Sequence, residues 1–522
     1  MRQVQKIFGT VKKVGIFLSV NDIFFMLRSV KMTTAGIELA SFRRAKLFKD
    51  YLGIDVTLIT NEYQHDLLER CDDYKISARV LNMYDYFQEI NREVEKPRRI
   101  LIEPMHEGWS IERIRNDLCI WKDGVLVMYC VFSSKTQRLS FINFFNEERK
   151  KIRRDCYDTF GFLNCRQELD SETEREKEIF YYRPDGTVAI HETYQFVRGK
   201  NSLEKMELIN RQGKIIIKFH RRNEALLHWL KQLFSDKDKN YLLIGDRTPE
   251  YHKTYTYLKS ANLDNVKVIH QLHGFHVYGD RTPLTSPVKD NYEFLESKKI
   301  KADAIIALTE QQRNDIITRY NLQNVYAIPH ALQEVHVGKV NFNPLTVVMV
   351  GRIVPAKGHA KAIDAFKLVV DKIPQAQLLF YGLGPLQEEL QTKIAELNLS
   401  NSIMFKGFSP NVAEIFSSVA LSICTSDSEG FSLAVQESLQ NNCPVVSFDC
   451  YYGPRDMIED GVNGYLVPLG DVEAMADRII KILTEPGLRD KLSANCARSV
   501  EKFSPNIVAS KWAKVLDEFT NK

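Results

Sequence analysis

Short apolar runs alternate with helical patterns of apolar residues along the first part of the chain, up to about residue 90. One apolar run lies in VGIFL (14–18) or in IFFML (23–27), a helical pattern begins at Gly36, and a further apolar run is DVTLIT (55–60). An apolar run of this length between polar segments is typical of a buried strand. The pattern therefore predicts a βαβ unit.

The pattern changes between about residues 95 and 222, where apolar and polar residues alternate in short paired segments. Two such segments joined by a tight turn with glycine predict a β-hairpin. Turn dipeptides of this kind lie at Asp123-Gly124, at Asp185-Gly186 and, as a weaker signal, at Gln212-Gly213. We therefore predict an antiparallel insertion. A helix at 223–235 and a strand at 241–246 resume the earlier pattern, so the insertion interrupts the first domain.

Five more apolar runs follow residue 332, namely LTVVMVG, AQLLFYG, SIMFKG, LSICTS and PVVSFD. Continuously apolar strands belong in a parallel sheet that helices cover. The fold class that we expect is α/β, with two Rossmann-like domains and an antiparallel β-meander insertion in the first. The expected segments are 1–94 and 223–332 for the N-terminal Rossmann-like domain, 95–222 for the insertion, 333–505 for the C-terminal Rossmann-like domain and 506–522 for a C-terminal helix.

Composition excludes several classes of protein. A chain of 522 residues with 44% hydrophobic and 26% charged residues is typical of a multidomain globular protein. The formal net charge of +4 is small for this length, so no nucleic acid partner is indicated. The nine cysteines lack C-x-x-C spacing, which favours reduced thiols in a cytosol and no structural metal. The apolar stretches near the N-terminus are short, so we expect neither secretion nor a membrane span.

Charged residues follow the predicted strands at the edge of the sheet where ligands usually bind. Arg352 and Lys357 come after LTVVMVG, where a guanidinium and an ammonium could neutralise a leaving diphosphate. The alternative is a pair of solvated loop cations. Gly384 follows AQLLFYG and would let a ligand approach the backbone, although the full dinucleotide fingerprint is absent.

Two glutamates flank the helix start in EGFSLAVQE, after LSICTS. Glu429 could bind sugar hydroxyls and support positive charge at an anomeric carbon, and Glu437 could accept from both hydroxyls of a ribose. The backbone N–H groups of Gly430, Phe431 and Ser432 would lie at the helix start. The alternative is a capping acid followed by a surface helical acid.

Residues of the first domain must supply the facing wall of such a site. His270 and His273 in VIHQLHG are placed just beyond a predicted strand, where an imidazole could bond a sugar hydroxyl. A buried structural histidine and, with less support, a metal ligand are the alternatives. Gly36 opens the first helix and would let its N-terminus approach a diphosphate.

The motifs VGRIVPAKG, FYGLGP, FKGF, EGFSLAVQE and YYGPRDMIEDGVNGYLV occur in this order along the second domain. As an ordered set they resemble the retaining glycosyltransferases of family 4, which have the GT-B fold. The segments TTAGIELASFRRAKLF, VIHQLH and ALTEQQRNDI, with the β insertion, resemble Gram-positive members that glycosylate serine-rich repeat adhesins or wall teichoic acids. Enzymes of this type are often named poly(glycerol-phosphate) α-glucosyltransferases.

The resemblance implies roles for individual residues. Arg352 and Lys357 would hold the donor diphosphate, while His270 and Glu429 would contact the donor sugar, and we assign these four residues to catalysis. Ser432 stands where relatives often have glycine. Its side chain would narrow the sugar pocket, and the identity of the transferred sugar stays open. Glu437 would bind the ribose, and backbone groups near Lys406 and Gly407 would face uracil. The donor-binding residues that we expect are Gly36, His273, Gly384, Lys406, Gly407, Gly430, Phe431, Ser432, Leu433 and Glu437.

The implied reaction transfers glucose or N-acetylglucosamine from a UDP-sugar with anomeric retention. The expected acceptor is the glycan or Ser/Thr of a serine-rich repeat adhesin, and a wall teichoic acid is the alternative. The UDP-sugar is a substrate, and we expect no cofactor and no metal requirement. A non-catalytic GT-B partner subunit is a rival of another class, against which the retained charged residues argue. A sugar-nucleotide epimerase is a second rival, but it would need acid/base groups around the sugar.

The acceptor itself has no readable motif. The basic run ERKKIRR (148–154) and Arg98 and Arg99 could attract a polyphosphate chain or a membrane surface, or could be solvated charges. By resemblance we expect a cytoplasmic homo-oligomer that could associate with the inner face of the membrane. The insertion would dock the protein or polymer acceptor.

Overall fold

A computed structural model of the chain describes residues 22–30, 36–92, 108–246, 248–259, 263–278, 282–296, 302–335 and 337–520. The chain divides into two compact units. The meander unit contains Val20–Phe42 and Val56–Val268, and the C-terminal unit contains Arg43–Asp55 and Ile269–Lys522. The domain boundaries expected from the sequence stay predictions, and VGIFL (14–18), Arg98 and Arg99 lie outside the described residues.

The strands among the described residues are β1 (Asp22–Leu27), β2 (Thr57–Thr60), β3 (Arg79–Asn82), β4 (Trp109–Ile114), β5 (Asp117–Lys122), β6 (Val125–Phe132), β7 (Leu139–Phe145), β8 (Lys151–Tyr157), β9 (Leu163–Leu169), β10 (Glu176–Tyr182), β11 (Val188–Val197), β12 (Lys200–Ile209), β13 (Ile215–Phe219), β14 (Tyr241–Gly245), β15 (Val266–Gln271), β16 (Ala304–Ala307), β17 (Val325–Ala327), β18 (Asn343–Val350), β19 (Gln377–Tyr381), β20 (Ile403–Gly407), β21 (Val419–Cys424), β22 (Val445–Phe448) and β23 (Gly464–Val467).

The α-helices among the described residues are α1 (Gly36–Leu47), α2 (Leu67–Asp73), α3 (Met83–Phe87), α4 (Arg222–Leu233), α5 (Thr248–Lys259), α6 (Glu310–Tyr320), α7 (His359–Lys372), α8 (Gln387–Glu396), α9 (Val412–Ser417), α10 (Leu433–Gln440), α11 (Pro454–Met457), α12 (Val472–Thr484), α13 (Leu488–Ser499) and α14 (Pro505–Thr520). A π-helical turn, Phe48–Leu52, continues α1. Within the described residues, no helix combines the length and the apolar character that a bilayer span requires.

The meander unit contains a parallel sheet built around β1. This strand pairs with β14 on one side and with β2 on the other, and β2 pairs with β3. The last five residues of β1 and all five of β14 are buried, which is typical of parallel strands covered on both faces. The apolar run IFFML is therefore a strand, and the predicted βαβ unit is confirmed.

A ten-stranded antiparallel sheet, β4 to β13, follows chain order and is the second sheet of this unit. The insertion predicted from the alternating pattern is thus confirmed as antiparallel. Asp123 and Gly124 join β5 and β6 with φ of 49° and 79°, the left-handed pair that a type I′ turn needs. The sequence pattern missed a similar turn at Arg198 and Gly199, because arginine is not a typical turn residue.

The C-terminal unit contains a six-stranded parallel sheet in the order β20-β19-β18-β21-β22-β23. All residues of β21 and β22 are buried, and α7 and α12 pack together over the same core through apolar residues such as Phe366 and Ile479. The order of strands reverses at β18, which has β19 on one side and β21 on the other. The parallel sheet predicted for this part of the chain is confirmed, and all nine cysteines are free thiols.

Candidate functional site

The loops after β18 and β21 carry the central charged residues of the candidate site. These two strands are adjacent and parallel, so their carboxyl ends lie at one edge of the sheet, at the point where the strand order reverses. The first loop contains Arg352 and Lys357, and the second contains Glu429. Three residues of the predicted catalytic set are therefore carried by neighbouring strand ends.

Lys357 and Glu429 form an ion pair at this edge. Lys357 Nζ lies 2.6 Å from Glu429 Oε1, and the hydroxyl of Ser426 donates to the same oxygen at 2.7 Å. The side chains of Lys357 and Glu429 are 25% and 10% exposed. Burial by itself would lower the pKa of Lys357, but the charge and the hydrogen bond of Glu429 outweigh it and raise the pKa above 10.5. Lys357 is therefore a fixed cation at neutral pH.

Arg352 lies two residues beyond β18 and is exposed. Its positive charge acts to lower the pKa of Lys357, so the two cations interact. Among the described residues, its guanidinium makes no hydrogen bond or ion pair. It therefore has all its donors available for an anion.

Gly384 packs directly against the loop that carries Arg352. The N–H of Ile353 donates to the carbonyl of Leu383 at 3.0 Å, and a Cβ on Gly384 would lie 2.1 Å from the Ile353 carbonyl oxygen. A side chain at this position would displace the loop. Packing against Ile353 therefore explains why position 384 is glycine. The sequence had suggested a different reason, the close approach of a ligand.

Glu437 lies in α10 and pairs with a residue that the sequence did not single out. Arg43 Nη1 of α1 lies 3.0 Å from Glu437 Oε1, and both side chains are mostly buried. The second carboxylate oxygen of Glu437 has no hydrogen bond within the described part of the chain. Arg43 therefore holds one carboxylate oxygen and leaves the other as an acceptor.

Three predicted donor-binding residues, Gly430, Phe431 and His273, lie close together at the start of α10. A Cβ on Gly430 would lie 2.2 Å from the carbonyl oxygen of His273, so only glycine allows the two backbones to approach so closely. The ring of His273 stacks on His330 with centroids 5.7 Å apart, and His330 meets the edge of Phe431 at 5.5 Å. The segment after β15 is thereby fixed against the start of α10.

His270 lies inside β15 and not beyond it, which corrects the position assigned from the sequence. It pairs with Ile305 of the parallel strand β16, its side chain is 1% exposed, and its ring lies 5.1 Å from that of Phe294. The strand continues past its apolar residues to Gln271, because His270 and Gln271 are buried and pair with β16. His273 does lie beyond the strand, as predicted.

Ser432 and Leu433 mark the start of α10. Ser432 has φ of 71° and is 6% exposed, and Leu433 is the first helical residue. Ser432, Glu429 and Lys357 line a cavity of about 20 Å³, which is room for one water molecule. The serine side chain therefore leaves little space beside the ion pair.

The remaining predicted residues lie at strand or helix ends. Lys406 is exposed near the end of β20, and the carbonyl of Gly407 accepts from the N–H of Gly382 at 2.8 Å. Gly36 is the exposed first residue of α1 in the meander unit, and a Cβ there would meet no atom of the described residues within 4 Å. Within the described ranges, no group of three His, Cys, Asp or Glu side chains is arranged to hold a metal ion.

Residues 331–499 match the family model described as glycosyl transferases group 1. The chain is 24% identical over 514 residues to a poly(glycerol-phosphate) alpha-glucosyltransferase of Bacillus subtilis, covering 95% of this chain and 75% of the relative. It is also 24% identical over 516 residues to a poly(ribitol-phosphate) alpha-N-acetylglucosaminyltransferase of Staphylococcus aureus, covering 95% and 99%.

A solved structure, the pneumococcal O-GlcNAc transferase GtfA in complex with UDP and GlcNAc, matches with a TM-score of 0.80 and 19% identity. The match covers 96% of this chain and 100% of that one. Similarity over nearly the whole of both chains confirms the fold class expected from the sequence, a GT-B fold with parallel α/β sheets and an antiparallel β-meander.

Proposed function

We propose, from the match of residues 331–499 to the group 1 glycosyl transferases, that this chain is a retaining UDP-sugar-dependent hexosyltransferase. It moves glucose or N-acetylglucosamine to an acceptor of the bacterial cell surface. The observation that carries the proposal is the ion pair of Lys357 and Glu429 at the carboxyl ends of β18 and β21, with Arg352, which has no partner among the described residues, in the same loop as Lys357. This edge of a parallel sheet is where such folds bind nucleotides.

The two cations suit the departure of a diphosphate. In the proposed reaction the acceptor oxygen bonds to the anomeric carbon as the bond from that carbon to the β-phosphate oxygen breaks. The acceptor proton passes to a β-phosphate oxygen, so no enzymic base is needed. Arg352 and Lys357 stabilise the charge that develops on the leaving group, and preorganised charges of this kind are usually the largest catalytic effect.

Glu429 contacts the donor sugar in this proposal. Lys357 and Ser426 fix its carboxylate, so it reaches the sugar hydroxyls in one orientation and supports positive charge at the anomeric carbon. Glu437 accepts hydrogen bonds from the ribose hydroxyls through the carboxylate oxygen that Arg43 does not contact. His270 contacts the donor sugar, and the buried Ser432 limits the space around it. No metal takes part in this proposal.

The acceptor that we propose is the glycan or a Ser/Thr residue of a serine-rich repeat adhesin. The likeness to the pneumococcal O-GlcNAc transferase supports it. A teichoic acid is the second candidate, which is supported by relatives named for poly(glycerol-phosphate) and poly(ribitol-phosphate). Both acceptors are long chains made in a bacterial cell, which fits the expected cytoplasmic location at or near the membrane.

The ten-stranded sheet is proposed to dock that acceptor and to join copies of the chain. Its edge strands β4 and β13 expose isoleucines, including Ile111 at 50% and Ile216 at 62%, and exposed apolar edges favour association. Residues of this sheet line a groove of about 590 Å³, and among them the guanidinium of Arg153 lies 3.7 Å from the centre of the Phe144 ring. Aromatic and cationic groups together suit a sugar chain that carries phosphate.

An acceptor-free assay distinguishes this proposal from a non-catalytic partner subunit. Purified chain is incubated with UDP-glucose or UDP-N-acetylglucosamine, and release of UDP is measured. We expect slow hydrolysis, which the variant Glu429→Gln lowers about a hundredfold or more. A partner subunit would release no UDP, and an epimerase would convert the nucleotide sugar into its isomer without release of UDP.

A further inference from the structure

The main chain of Glu429 is held by the loop that follows β22. The N–H of Glu429 donates to the carbonyl of Tyr451 at 2.6 Å, and the N–H of Tyr452 donates to the carbonyl of Glu429 at 2.8 Å. The position of the Glu429 backbone therefore depends on where Tyr451 and Tyr452 are placed.

The side chain of Tyr452 contacts a different segment of the chain, which runs from the end of β15 to the end of α6. Its side chain is fully buried, its ring is parallel to that of His276 with centroids 6.3 Å apart, and it packs on Phe275 at 5.5 Å. Its hydroxyl donates to Asp315 Oδ2 of α6 at 2.9 Å. Packing fixes the plane of the ring, and the hydrogen bond fixes its far end.

The charges around this anchor favour a stable arrangement at neutral pH. Burial, helped by Arg319 and Lys289, lowers the pKa of His276 to about 4, so the stacked ring is neutral. Burial raises the pKa of Tyr452, and the charge of Asp315 raises it further, so the hydroxyl keeps the proton that it donates. The anchor is therefore a neutral stack with one hydrogen bond to a carboxylate.

We propose that Tyr452 is a positioning residue, which sets the Glu429 carboxylate for the donor sugar through the paired backbone and is itself set by Asp315. The inference rests on the function proposed above, in which Glu429 contacts the sugar. Tyr452 does not touch Lys357 or Arg352 in this scheme, so it acts on the sugar step and not on binding of the diphosphate. A small shift of a catalytic group away from its productive geometry is enough to lower the rate substantially.

The test variant is Tyr452→Phe, which keeps the buried ring and removes the hydroxyl. The matched control is Tyr326→Phe, because the Tyr326 hydroxyl also donates to a carboxylate, that of Glu518, in the same compact unit. Asp315→Asn is the conservative variant, since its amide oxygen can still accept from Tyr452. UDP affinity, kcat, the thermal midpoint and amide hydrogen exchange at Glu429 are measured for each protein.

We expect Tyr452→Phe to lower kcat about tenfold, a modest loss of transition-state stabilisation, while UDP affinity stays within about twofold. Exchange at the Glu429 amide becomes faster in this variant, and Tyr326→Phe leaves both kcat and exchange unchanged. Asp315→Asn retains most of the rate. In a Glu429→Gln background, Tyr452→Phe lowers kcat no further, because the two residues act through one contact.

Unchanged exchange at Glu429 or unchanged kcat in Tyr452→Phe would overturn the inference. A loss of thermal stability with normal kcat below the midpoint would show a packing role instead, and would also overturn it. Failure of the proposed function gives a different result, because the wild-type chain would then turn over no UDP-sugar. Hydrogen exchange would still decide in that case whether Tyr452 holds the Glu429 backbone.

Discussion

The ammonium of Lys357 lies 2.6 Å from the carboxylate of Glu429, although the two residues are 72 positions apart in the chain. The contact forms because β18 and β21 are neighbours in the sheet and both loops leave it at the same edge. One cation therefore fixes the carboxylate that we propose contacts the sugar, and the same cation is proposed to stabilise the leaving diphosphate.

Glu429→Gln is expected to keep the fold and to lower turnover about a hundredfold or more, because loss of a charged transition-state contact costs roughly 3 kcal/mol. The amide can still accept from Lys357, so UDP affinity should change little. The matched control is Glu414→Gln, an exposed acid of α9 in the same unit. Near-normal transfer by Glu429→Gln would reject its catalytic role.

Arg352→Ala and Lys357→Ala should each weaken UDP binding and slow transfer. Loss of a hydrogen bond to a charged group costs about 1.5–3 kcal/mol, or roughly ten- to a hundredfold in affinity. Isothermal titration with UDP and steady-state kinetics measure both effects. Lys367→Ala is the control, because Lys367 pairs with Asp371 on the surface of α7. If both test variants bind UDP normally, the two cations are surface residues.

His270→Ala should reduce transfer more than UDP affinity, because the proposed partner of the imidazole is the sugar and not the nucleotide. The side chain is 1% exposed, so its removal also leaves a cavity that lowers stability. His252→Ala, a substitution at another buried histidine, measures that general cost. An equal loss of UDP affinity and rate would mean that His270 supports the fold instead.

Replacement of the insertion by a short linker should spare UDP-sugar binding and slow hydrolysis, but abolish efficient transfer to a long acceptor. The graft is geometrically reasonable because β2 and β14 both pair with β1. Light scattering would report the oligomeric state, and transfer to a short sugar acceptor would serve as the activity control. A folded, oligomeric truncated enzyme that glycosylates long acceptors at the wild-type rate would refute the role of the insertion.

Most of the fold could be predicted from local pattern. Continuous apolar runs predicted β18, β21 and β22, and the turn at Asp123 and Gly124 predicted the hairpin of β5 and β6. The turn at Arg198 and Gly199 escaped prediction because the first residue has no intrinsic preference for a positive φ. Its conformation is set by the pairing of the two long strands that it joins.

Parts of the candidate site could be predicted only as residues near strand ends. The partner of Glu437 is Arg43, 394 positions away, and no local pattern indicates a contact over that separation. The anchor of Tyr452 on Asp315 escaped prediction for the same reason. His270 was assigned beyond the strand, whereas β15 continues through Gln271 by pairing with β16, a pairing that the local sequence does not indicate.

The reaction that we propose for this chain is transfer of a hexose from a UDP-sugar with retention of the anomeric configuration. The most direct measurement incubates the purified chain with UDP-glucose or UDP-N-acetylglucosamine and a panel of adhesin peptide, GlcNAc-bearing peptide and teichoic acid, in the presence of a metal chelator. The anomeric configuration of the product is then determined by NMR. We predict an α-linked product on one acceptor class, formed by the wild-type chain and at least about a hundredfold more slowly by Glu429→Gln. A β-linked product, or no transfer to any acceptor with either donor, would contradict the account.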